Sequence, residues 1–500
     1  MEGITTIITI VVALAMVMVL FSWITTTIQT TPGYHDQTHQ TYSFLIYQTG
    51  TDILAKNGTT QEIEYNSRIA TETIQYAIDH LTTGRTWFEK VLIEGDFEIA
   101  PAIHMASYTY LDIDGRLIAS GPDNIINITG CSNVEIANGI LDANAGAFDD
   151  DPEADIENCI FVADADDISI HDMVIQNSLH FGIRLDGHLL YYPSNVERIQ
   201  LRDNSIRDCK FGVHIQEATS VIVANNQIYS CGLAIGMASN SVDVTIADNQ
   251  LIDSWLEHGI YAGESQRVTI TGNLIARNNA SGIQIRPTYE GSTCRDFIIS
   301  DNIISDNLGN GMNIDGAETD SAMDRVSVSN NIIKNNWMGG VRLYDSDNIT
   351  IQNNQFYDDL TPHKQIFSVG SVGTNNYISI QHNQIASYNG YSAIYHTYTV
   401  DEWGDHVKIA NNYLTEGDDG DKTENFGTIN MLKDTDEVIV AHGLIREPLR
   451  IWIQATSFDT NGSVVVDANN TYFTILNPET IVLGARVFYW WANIYGSYDT

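Results

Sequence analysis

The sequence predicts an all-β fold, a right-handed parallel β-helix built as one solenoid, and three observations support it. A phrase of alternating apolar residues, a polar pair ending in Asn and a further apolar residue recurs nine times between Asn204 and Asn412. Its Asn positions lie 22 to 29 residues apart, a period typical of solenoids. Ile and Val occupy every second position, and no stretch shows helical period. A β-sandwich with Asn-rich hairpins is the alternative, and nine in-phase repeats disfavour it.

The repeated Asn residues are expected to stack, one per coil, at an inward turn. Consecutive coils pair at about 4.8 Å, so each amide can bond the Asn above, the Asn below and nearby backbone. This first ladder comprises Asn204, Asn226, Asn249, Asn273, Asn302, Asn331, Asn354, Asn383 and Asn412. Five positions after the Asn, a second ladder of small or polar residues comprises Cys209, Cys231, Ser254, Asn278, Asn307 and Asn336. Cys209 and Cys231 fall on adjacent coils, where a disulfide and two stacked thiols are both compatible with the spacing.

The chain begins with an apolar segment. Ile4 to Ile24 gives 21 residues without a charge, enough to span a bilayer as a helix. No Lys or Arg precedes Lys56, so the segment lacks the basic region of a secretory signal. We predict an uncleaved transmembrane anchor over residues 1–25 and a Thr- and Gln-rich stalk over 26–41, with a signal peptide and a filament-core helix as alternatives. The ectodomain is then extracellular or on a virion surface. Six glycosylation sequons agree weakly with export: Asn57, Asn127, Asn279, Asn348, Asn461 and Asn469.

Residues 42–116 are expected to form an N-terminal cap and the first coils. Thr71 is placed to cap a short helix whose apolar face is Ile74, Ala77, Ile78 and Leu81. Such a helix would cover the core and strand edges of the first coil, which otherwise face water.

This entry region resembles the start of pectate-lyase-superfamily β-helix proteins. The matching residues are Ile74, Gln75, Ala77, Ile78 and Asp79 in the helix, then Val91, Ile93, Gly95, Phe97 and Ile99 in the strand. The chain looks especially like the membrane-anchored members found in archaea and their viruses. The resemblance implies the β-helix fold and a polysaccharide-related role, in a superfamily of lyases, hydrolases, epimerases, tailspikes and non-enzymatic surface proteins.

Charge limits the classes of partner and cofactor. Asp and Glu number 64 against 24 Lys and Arg, a formal charge of −40. Such a surface repels nucleic acid, so we expect no nucleic-acid partner. An acidic insertion from Asp149 to Glu157 interrupts the early coils and predicts a solvated loop, with Ca²⁺ binding as the alternative; its spacing is not that of an EF-hand. No other cofactor or metal is predicted.

The β-helix itself is predicted over residues 117–428, with its functional residues on one outward face. After each turn a strand begins Gly, apolar, x, apolar, x, and because side chains alternate, the x positions face solvent. Candidate catalytic residues there are Asp186, His214, Arg286 and Asp315. Candidate substrate-binding residues are Arg184, Gln216, Tyr261, Gln284, Asn313, Arg342 and Tyr344. Gly236 and Ala238 leave a notch in the middle of the face.

Three function classes follow from that face. The first is a surface or virion protein that binds polysaccharide or glycosylated surfaces without chemistry. The second is a lyase or hydrolase, in which Asp186 with His214 and Arg286 with Asp315 are the best pairs for acid–base chemistry. The third is a structural coat or filament subunit, and self-association into a homo-oligomer is left open. Neighbouring coils could also carry complementary charges simply to solvate the face. The polygalacturonase signatures do not occur as a set, which favours binding.

Residues 429–500 are predicted to form a small C-terminal β-sandwich of alternating strands with NG and NP turns. The segment resembles a module at the ends of phage and archaeal-virus tail proteins. The matching residues are His442, Gly443, Leu444, Pro448, Phe473, Thr474, Ile475, Phe488, Tyr489, Trp490 and Trp491.

Overall fold

The structure is a computed structural model that describes residues 42–145, 158–189, 192–193, 195–288, 291–316 and 322–357, with shorter segments beyond. These shorter segments are 369–372, 377–386, 394–396, 408–414 and six C-terminal strands. Within this part of the chain no helix is long and apolar enough to cross a membrane. The predicted anchor, the stalk, the acidic insertion and the His442–Pro448 stretch lie outside the described residues.

Each coil contributes three parallel strands, and equivalent strands of successive coils form three sheets. Sheet 1 contains Ile103–His104, Ile126–Thr129, Ile160–Ala163, Phe181–Asp186, Phe211–Gln216, Leu233–Ala238, Ile260–Ala262, Ile283–Ile285, Asn310–Asp315, Gly339–Tyr344, Val369–Val372 and Ile394–His396. Sheet 2 contains Thr109–Ala119, Ser132–Ala137, Ala165–His171, Val196–Arg202, Thr219–Ala224, Val242–Ala247, Gln266–Thr271, Thr293–Ser300, Ala322–Ser329, Asp347–Gln352, Ser379–Gln381 and Lys408–Ala410. Sheet 3 contains Ile140–Asp142, Val174–Gln176, Ser205–Arg207, Gln227–Tyr229, Gln250–Ile252, Leu274–Ala276, Ile303–Ser305, Ile332–Lys334, Gln355–Tyr357, Gln384–Ala386 and Tyr413–Leu414.

The core lies between the three sheets and consists of stacked aliphatic residues. In sheet 1 the register places Ile183, Val213, Ile235, Ile260 and Ile283 above one another. All five are fully buried. The alternation of apolar and polar residues therefore has the predicted outcome: apolar side chains face the bore and the residues between them face outward.

The predicted Asn ladder is confirmed. In each Asn from Asn204 to Asn383, Nδ2 donates to Oδ1 of the next Asn at 2.9 to 3.0 Å. The same Oδ1 accepts a backbone N–H, as Asn302 Oδ1 does from Asn273 N at 2.9 Å. The residue before the ladder Asn has positive φ, as in Asp203, Asp248 and Gly272, which explains why Asn, Asp and Gly occupy that position.

The second ladder is also buried, and its cysteines are free. Asn278 Nδ2 donates to Asn307 Oδ1 at 2.9 Å, and Asn307 Nδ2 donates to Asn336 Oδ1 at 2.9 Å. Cys209 and Cys231 are both buried thiols. The Cys231 thiol beside it, together with burial, raises the pKa of Cys209. Of the two alternatives, stacked thiols are therefore correct and the disulfide is wrong.

An N-terminal cap closes the first coil. Strands β1 (Phe44–Thr49), β2 (Asp52–Asn57) and β3 (Ile63–Ser67) are antiparallel, and β1 pairs in parallel with β4 (Glu89–Ile99). Helix α1 (Ala70–Asp79) buries Ile74, Ala77 and Ile78 over the core, as predicted. The hairpin strands thus cover the sheet edge and the helix covers the core.

Thr71 does not cap helix α1, so that prediction is wrong. The helix begins at Ala70 after Ile69, which makes no side-chain cap bond. Thr71 Oγ1 instead accepts a hydrogen bond from Ala100 N at 3.2 Å. Ser67 makes the side-chain hydrogen bonds at the start of the helix instead. Its Oγ accepts a hydrogen bond from Ile69 N at 3.1 Å and donates one to the Glu72 carboxylate at 2.7 Å.

The C-terminal strands form two antiparallel sheets. One contains Glu424–Met431, Arg486–Asn493 and Arg450–Ala455, and the other contains Glu437–Ala441, Tyr472–Leu476 and Val464–Ala468. Glu424–Met431 pairs along its whole length with Arg486–Asn493. The strand pairing of this segment thus includes residues 424–431, and the module boundary at residue 429 stays a prediction. Phe473 and Ile475, which were part of the resemblance, are fully buried.

Candidate functional site

Sheet 1 presents a continuous outward row of side chains, here called the central row. Strand pairing aligns the members coil by coil: Phe161, Arg184, His214, Gly236, Tyr261, Gln284, Asn313 and Arg342. Consecutive members are separated by about 4.8 Å along the axis. Six predicted site residues thus share one row. Their positions in the repeat had predicted this alignment.

A parallel row lies two residues further along each strand. Asp186 aligns with Gln216 and then Ala238, and at the far end Asp315 aligns with Tyr344. Arg286 follows the strand between them and is exposed. Every residue of the predicted site therefore lies on this face, in one of two neighbouring rows.

Aromatic rings surround the early end of the face. The Phe181 and Phe211 rings stack at 5.0 Å between centroids, and the His214 ring lies 4.8 Å from that of Phe181. The Arg184 guanidinium lies 5.1 Å from the Phe181 centroid and 5.8 Å from that of Phe161. Guanidinium groups are attracted to aromatic faces, so Arg184 is held flat against this cluster.

Asp186 forms an ion pair with Arg184 of the same strand. Arg184 Nη2 donates to Asp186 Oδ2 at 2.9 Å, and only 6% of the Asp186 side chain is exposed. The next coil places Gln216, not His214, beside Asp186. His214 aligns with Arg184 and packs on Phe181, and the Asp186–His214 acid–base pair stays a prediction.

The other predicted pair is present as a loose ion pair. Arg286 Nε lies 3.8 Å from Asp315 Oδ2, with half of the Arg286 side chain exposed. Asp186 and Asp315 are five coils apart, roughly 24 Å. Paired carboxylates of glycosidases lie about 5 to 9.5 Å apart, so these two cannot act together on one bond.

In the middle of the face, Gly236 is followed on the next coil by Tyr261. Gly236 has no side chain, and the His214 ring leans toward it, since a Cβ at Gly236 would lie 3.4 Å from His214 Cδ2. Tyr261 follows on the next coil and is half-buried. Burial raises the pKa of Tyr261 to about 12, so the phenol keeps its proton at neutral pH and can donate a hydrogen bond.

Further along the row an amide acceptor has no donor. Asn313 Nδ2 donates to Gln284 Oε1 at 2.7 Å, which fixes the orientation of both buried amides. Among the described residues no donor reaches Asn313 Oδ1. A buried acceptor without a donor is uncommon in native structures and indicates a place for a ligand or water. Beyond it, the Arg342 guanidinium lies 5.5 Å from the Tyr344 ring centroid.

Glu264, an acidic residue at a strand end, has a structural role. Its carboxylate accepts from the Thr288 backbone N–H and hydroxyl. The residue is almost fully buried. In the part of the chain that the structure describes, no group of three His, Cys, Asp or Glu is arranged to hold a metal ion. Ca²⁺ binding at the Asp149–Glu157 insertion stays a prediction.

The sequence analysis did not identify the aromatic members of the face. Phe161, Phe181 and Phe211 lie around Arg184, yet none was among the candidate residues. The repeated Phe-Gly pair at Phe181 and Phe211, on adjacent coils, was the available signal. The pair was missed because Ile183 faces the bore, so simple alternation along the strand would place the Phe181 side chain inward too.

Comparisons with known proteins agree with this architecture. The family model described as "Right handed beta helix region" matches residues 124–286 and 190–356. No curated protein sequence is significantly similar to the chain.

Several solved structures have similar folds at low sequence identity. The A-module of the Azotobacter vinelandii mannuronan C-5 epimerase AlgE4 superposes with a TM-score of 0.51 at 13% identity, covering 69% of this chain and 95% of that one. The tailspike protein of E. coli bacteriophage HK620, in complex with a pentasaccharide, gives 0.50 at 12% identity, covering 85% and 90%. PfbA, a surface adhesin of Streptococcus pneumoniae, gives 0.50 at 14% identity, covering 63% and 88%.

The family model, the parallel register and these superpositions lead to the same architecture. The fold of this chain is therefore that of the right-handed parallel β-helix proteins.

Proposed function

We propose that the protein binds polysaccharide or glycosylated surfaces along the central row of sheet 1, without chemical turnover. The observation that carries this proposal is the in-register series of half-buried, planar or hydrogen-bonding side chains from Phe161 to Arg342. Consecutive members are about 4.8 Å apart along the axis, so a linear polymer lying along the row would meet a new side chain at every coil except that of Gly236.

The chemistry of the row suits sugars. Aromatic rings such as Tyr261 offer apolar faces to the C–H side of a pyranose, while their polar ends stay able to hydrogen-bond. The buried Asn313 Oδ1 has no donor among the described residues, so a sugar hydroxyl that reached it would supply the missing hydrogen bond. Proteins of similar fold include a tailspike in complex with a pentasaccharide and a surface adhesin, which supports the proposal by analogy.

The proposal is tested by glycan-array screening followed by calorimetry on the best ligand. Tyr261→Ala and Asn313→Ala should each weaken binding about tenfold, the loss of one aromatic or hydrogen-bonding contact. Thr245→Ala is the matched control, since Thr245 is a half-buried, outward residue of sheet 2. Equal affinity for all four proteins would exclude the central row as the binding surface.

The lyase or hydrolase alternative has less support. Asp186 is held by Arg184, and its distance from Asp315 of roughly 24 Å is too great for paired catalysis. The alternative makes a distinct prediction: the protein releases oligosaccharides from a bound polymer, and Asp186→Ala or Asp315→Ala abolishes release while binding persists. We expect no release from the unmodified protein, measured as new reducing ends or unsaturated products.

We further propose that the protein works at a cell or virion exterior, tethered by the Ile4–Ile24 segment. The uncharged length of that segment supports the proposal. A chain lacking residues 1–41 should then no longer sediment with membranes, and unchanged sedimentation would refute the tether. The coat-subunit alternative predicts ordered self-assembly that depends on the same segment.

A further inference from the structure

A cleft of about 480 Å³ opens at the turn between sheet 3 and sheet 1, outside the central row. Its lining includes Ser178, Asp208, Lys210, Ser230 and Trp255. It is of the size of a small-ligand site, with a few polar groups beside an apolar surface. None of these residues was a candidate in the sequence analysis.

At this turn one coil has a glycine where its two neighbours have side chains. Backbone hydrogen bonds show that Lys210, Gly232 and Trp255 are equivalent: Lys210 N bonds Ser178 O at 3.0 Å, Gly232 N bonds Cys209 O at 3.0 Å, and Trp255 N bonds Cys231 O at 2.9 Å. A side chain at Gly232 would clash with the Lys210 carbonyl oxygen. A Cβ there would lie 3.3 Å from Trp255 Cζ2, so the indole rests against this glycine.

The Trp255 ring therefore rests against Gly232 at one edge, while much of the ring remains exposed to solvent. The residue is 57% exposed, an unusual amount of apolar area to leave in water for so large a side chain. Its contact with Gly232 limits where the ring can move. A preorganised ring of this kind loses little conformational freedom when a ligand stacks on it.

Lys210 contributes a cationic residue to the lining of the same cleft. None of the ion pairs between described residues involves Lys210. The neighbouring Asp208 carboxylate is instead 3.0 Å from Arg207 Nη1. Arg198, Arg267, Arg277 and Arg325 all pair with carboxylates on their own or adjacent coils. On a chain of charge −40, this ammonium is a local attraction for an anion.

We propose that this cleft is a subsite for a carboxylated pyranose, a hexuronate or sialate residue of a polysaccharide. The ring would stack on Trp255, the carboxylate would face Lys210, and Ser230 would meet hydroxyl groups. Lys210 directly precedes Phe211, whose ring belongs to the aromatic cluster around Arg184. The inference rests on the proposed function, which gives polysaccharide as the class of ligand. It adds that the bound sugar is negatively charged.

The test compares acidic oligosaccharides with their uncharged counterparts. The probes are hexuronate tetrasaccharides and a sialylated oligosaccharide, each also as its methyl ester, with binding to the full chain measured by calorimetry. We expect the acids to bind at least tenfold more tightly than the esters. Lys210→Met keeps the aliphatic stem and should abolish that preference, and Trp255→Ala should weaken acid and ester alike by about tenfold.

Trp337→Ala is the matched control, because Trp337 is 54% exposed at the equivalent turn of a later coil. It should bind as the unmodified protein does. A Lys210→Met protein that still prefers the acid would overturn the assignment. If Tyr261→Ala removes binding but Trp255→Ala does not, the cleft is not a ligand subsite, while the central row remains the binding surface. Binding that neither change affects would overturn both.

Discussion

His258 shows how one turn residue acquires a fixed protonation state. It lies before Gly259, and its Nδ1 accepts a hydrogen bond from the Ser281 backbone N–H at 3.1 Å. An accepting nitrogen must carry a lone pair, so the ring is neutral and its proton is on Nε2. Burial lowers the pKa of His258 to about 4. This bond joins the turns of two adjacent coils.

The lowered pKa predicts a pH dependence of stability. The unfolded chain takes up a proton on this ring near pH 6.5, whereas the folded chain does so only near pH 4. The unfolded state therefore binds more protons between these values, so this residue's contribution to stability is complete above pH 6.5 and is lost as the pH falls toward 4.

Two measurements check this expectation. NMR titration should show one imidazole, absent from the spectrum of His258→Gln, that stays neutral until about pH 4. The denaturation midpoint of His258→Gln should fall less steeply between pH 6.5 and 4 than that of the unmodified protein. Titration of this ring near pH 6.5 in the folded state would contradict the structural assignment.

At the scale of the element, the Asn ladder joins each coil to the next. The Asn302 amide donates to Asn331 Oδ1 at 3.0 Å and to the Ile270 and Ser300 carbonyls at 2.9 Å each. Its Oδ1 accepts from Asn273. The site has no water to replace these bonds, because Asn302 is 1% exposed.

Asn302→Ala should therefore destabilise the solenoid strongly. It leaves several buried donors and acceptors unpaired at once, and each such group costs about 1 to 3 kcal/mol, so we expect a loss of about 3 kcal/mol after local rearrangement. Urea denaturation measures the change. Asn279→Ala is the control, since the exposed Asn279 amide makes one long bond of 3.4 Å to Leu256 O. Similar midpoints for the two variants would show that the ladder contributes little.

Complementary charges join neighbouring coils outside the proposed binding face as well as at its Arg286–Asp315 pair. In the first half of the sheet 2 strands, Arg267 binds Asp243 through two bonds of 2.6 and 2.8 Å, and Arg325 binds Asp296 at 2.6 and 3.0 Å. The arginine bonds lower the pKa of Asp243 and of Asp296. Solvation by paired charges thus describes that part of sheet 2, whereas the central row of sheet 1 combines aromatic and amide side chains with Arg184 and Arg342.

At the scale of the whole molecule, an open solenoid must protect its ends. Helix α1 buries Ile74 and Ile78 against the first coil, and strand β1 occupies the free edge of β4. An uncovered first coil would present unpaired strand edges and apolar core to other molecules. The cap therefore keeps the solenoid from associating end to end.

Ile78→Asp should expose that end. Ile78 is 1% exposed, and a carboxylate in its place has no partner in an apolar setting, which costs several kcal/mol. We expect a lower denaturation midpoint and concentration-dependent self-association in sedimentation experiments. Asp79→Asn is the control on the same helix, because Asp79 is exposed and its carboxylate accepts a hydrogen bond from Gln75 at 2.9 Å, which an Asn side chain can also accept. A monodisperse Ile78→Asp protein of normal stability would mean that the helix is not needed as a cap.

The sequence by itself determined the fold and the register of this protein. A turn that buries an amide tolerates Asn almost alone, so nine Asn residues at the same point of the repeat marked the coil boundaries, and the alternation between them showed which side chains face the bore. That information sufficed to place Arg184, His214, Tyr261, Gln284, Asn313 and Arg342 in one row.

Only the tertiary structure decided what those side chains do. Whether Asp186 pairs with Arg184 or His214 depends on side-chain directions across coils, and the aromatic cluster at Phe181 depends on a local bend at the strand start. The Trp255 cleft depends on the contact of the indole with Gly232, one coil away. Repeat spacing encodes which residues are neighbours, but the contacts between them arise from three-dimensional packing that a one-dimensional pattern does not contain.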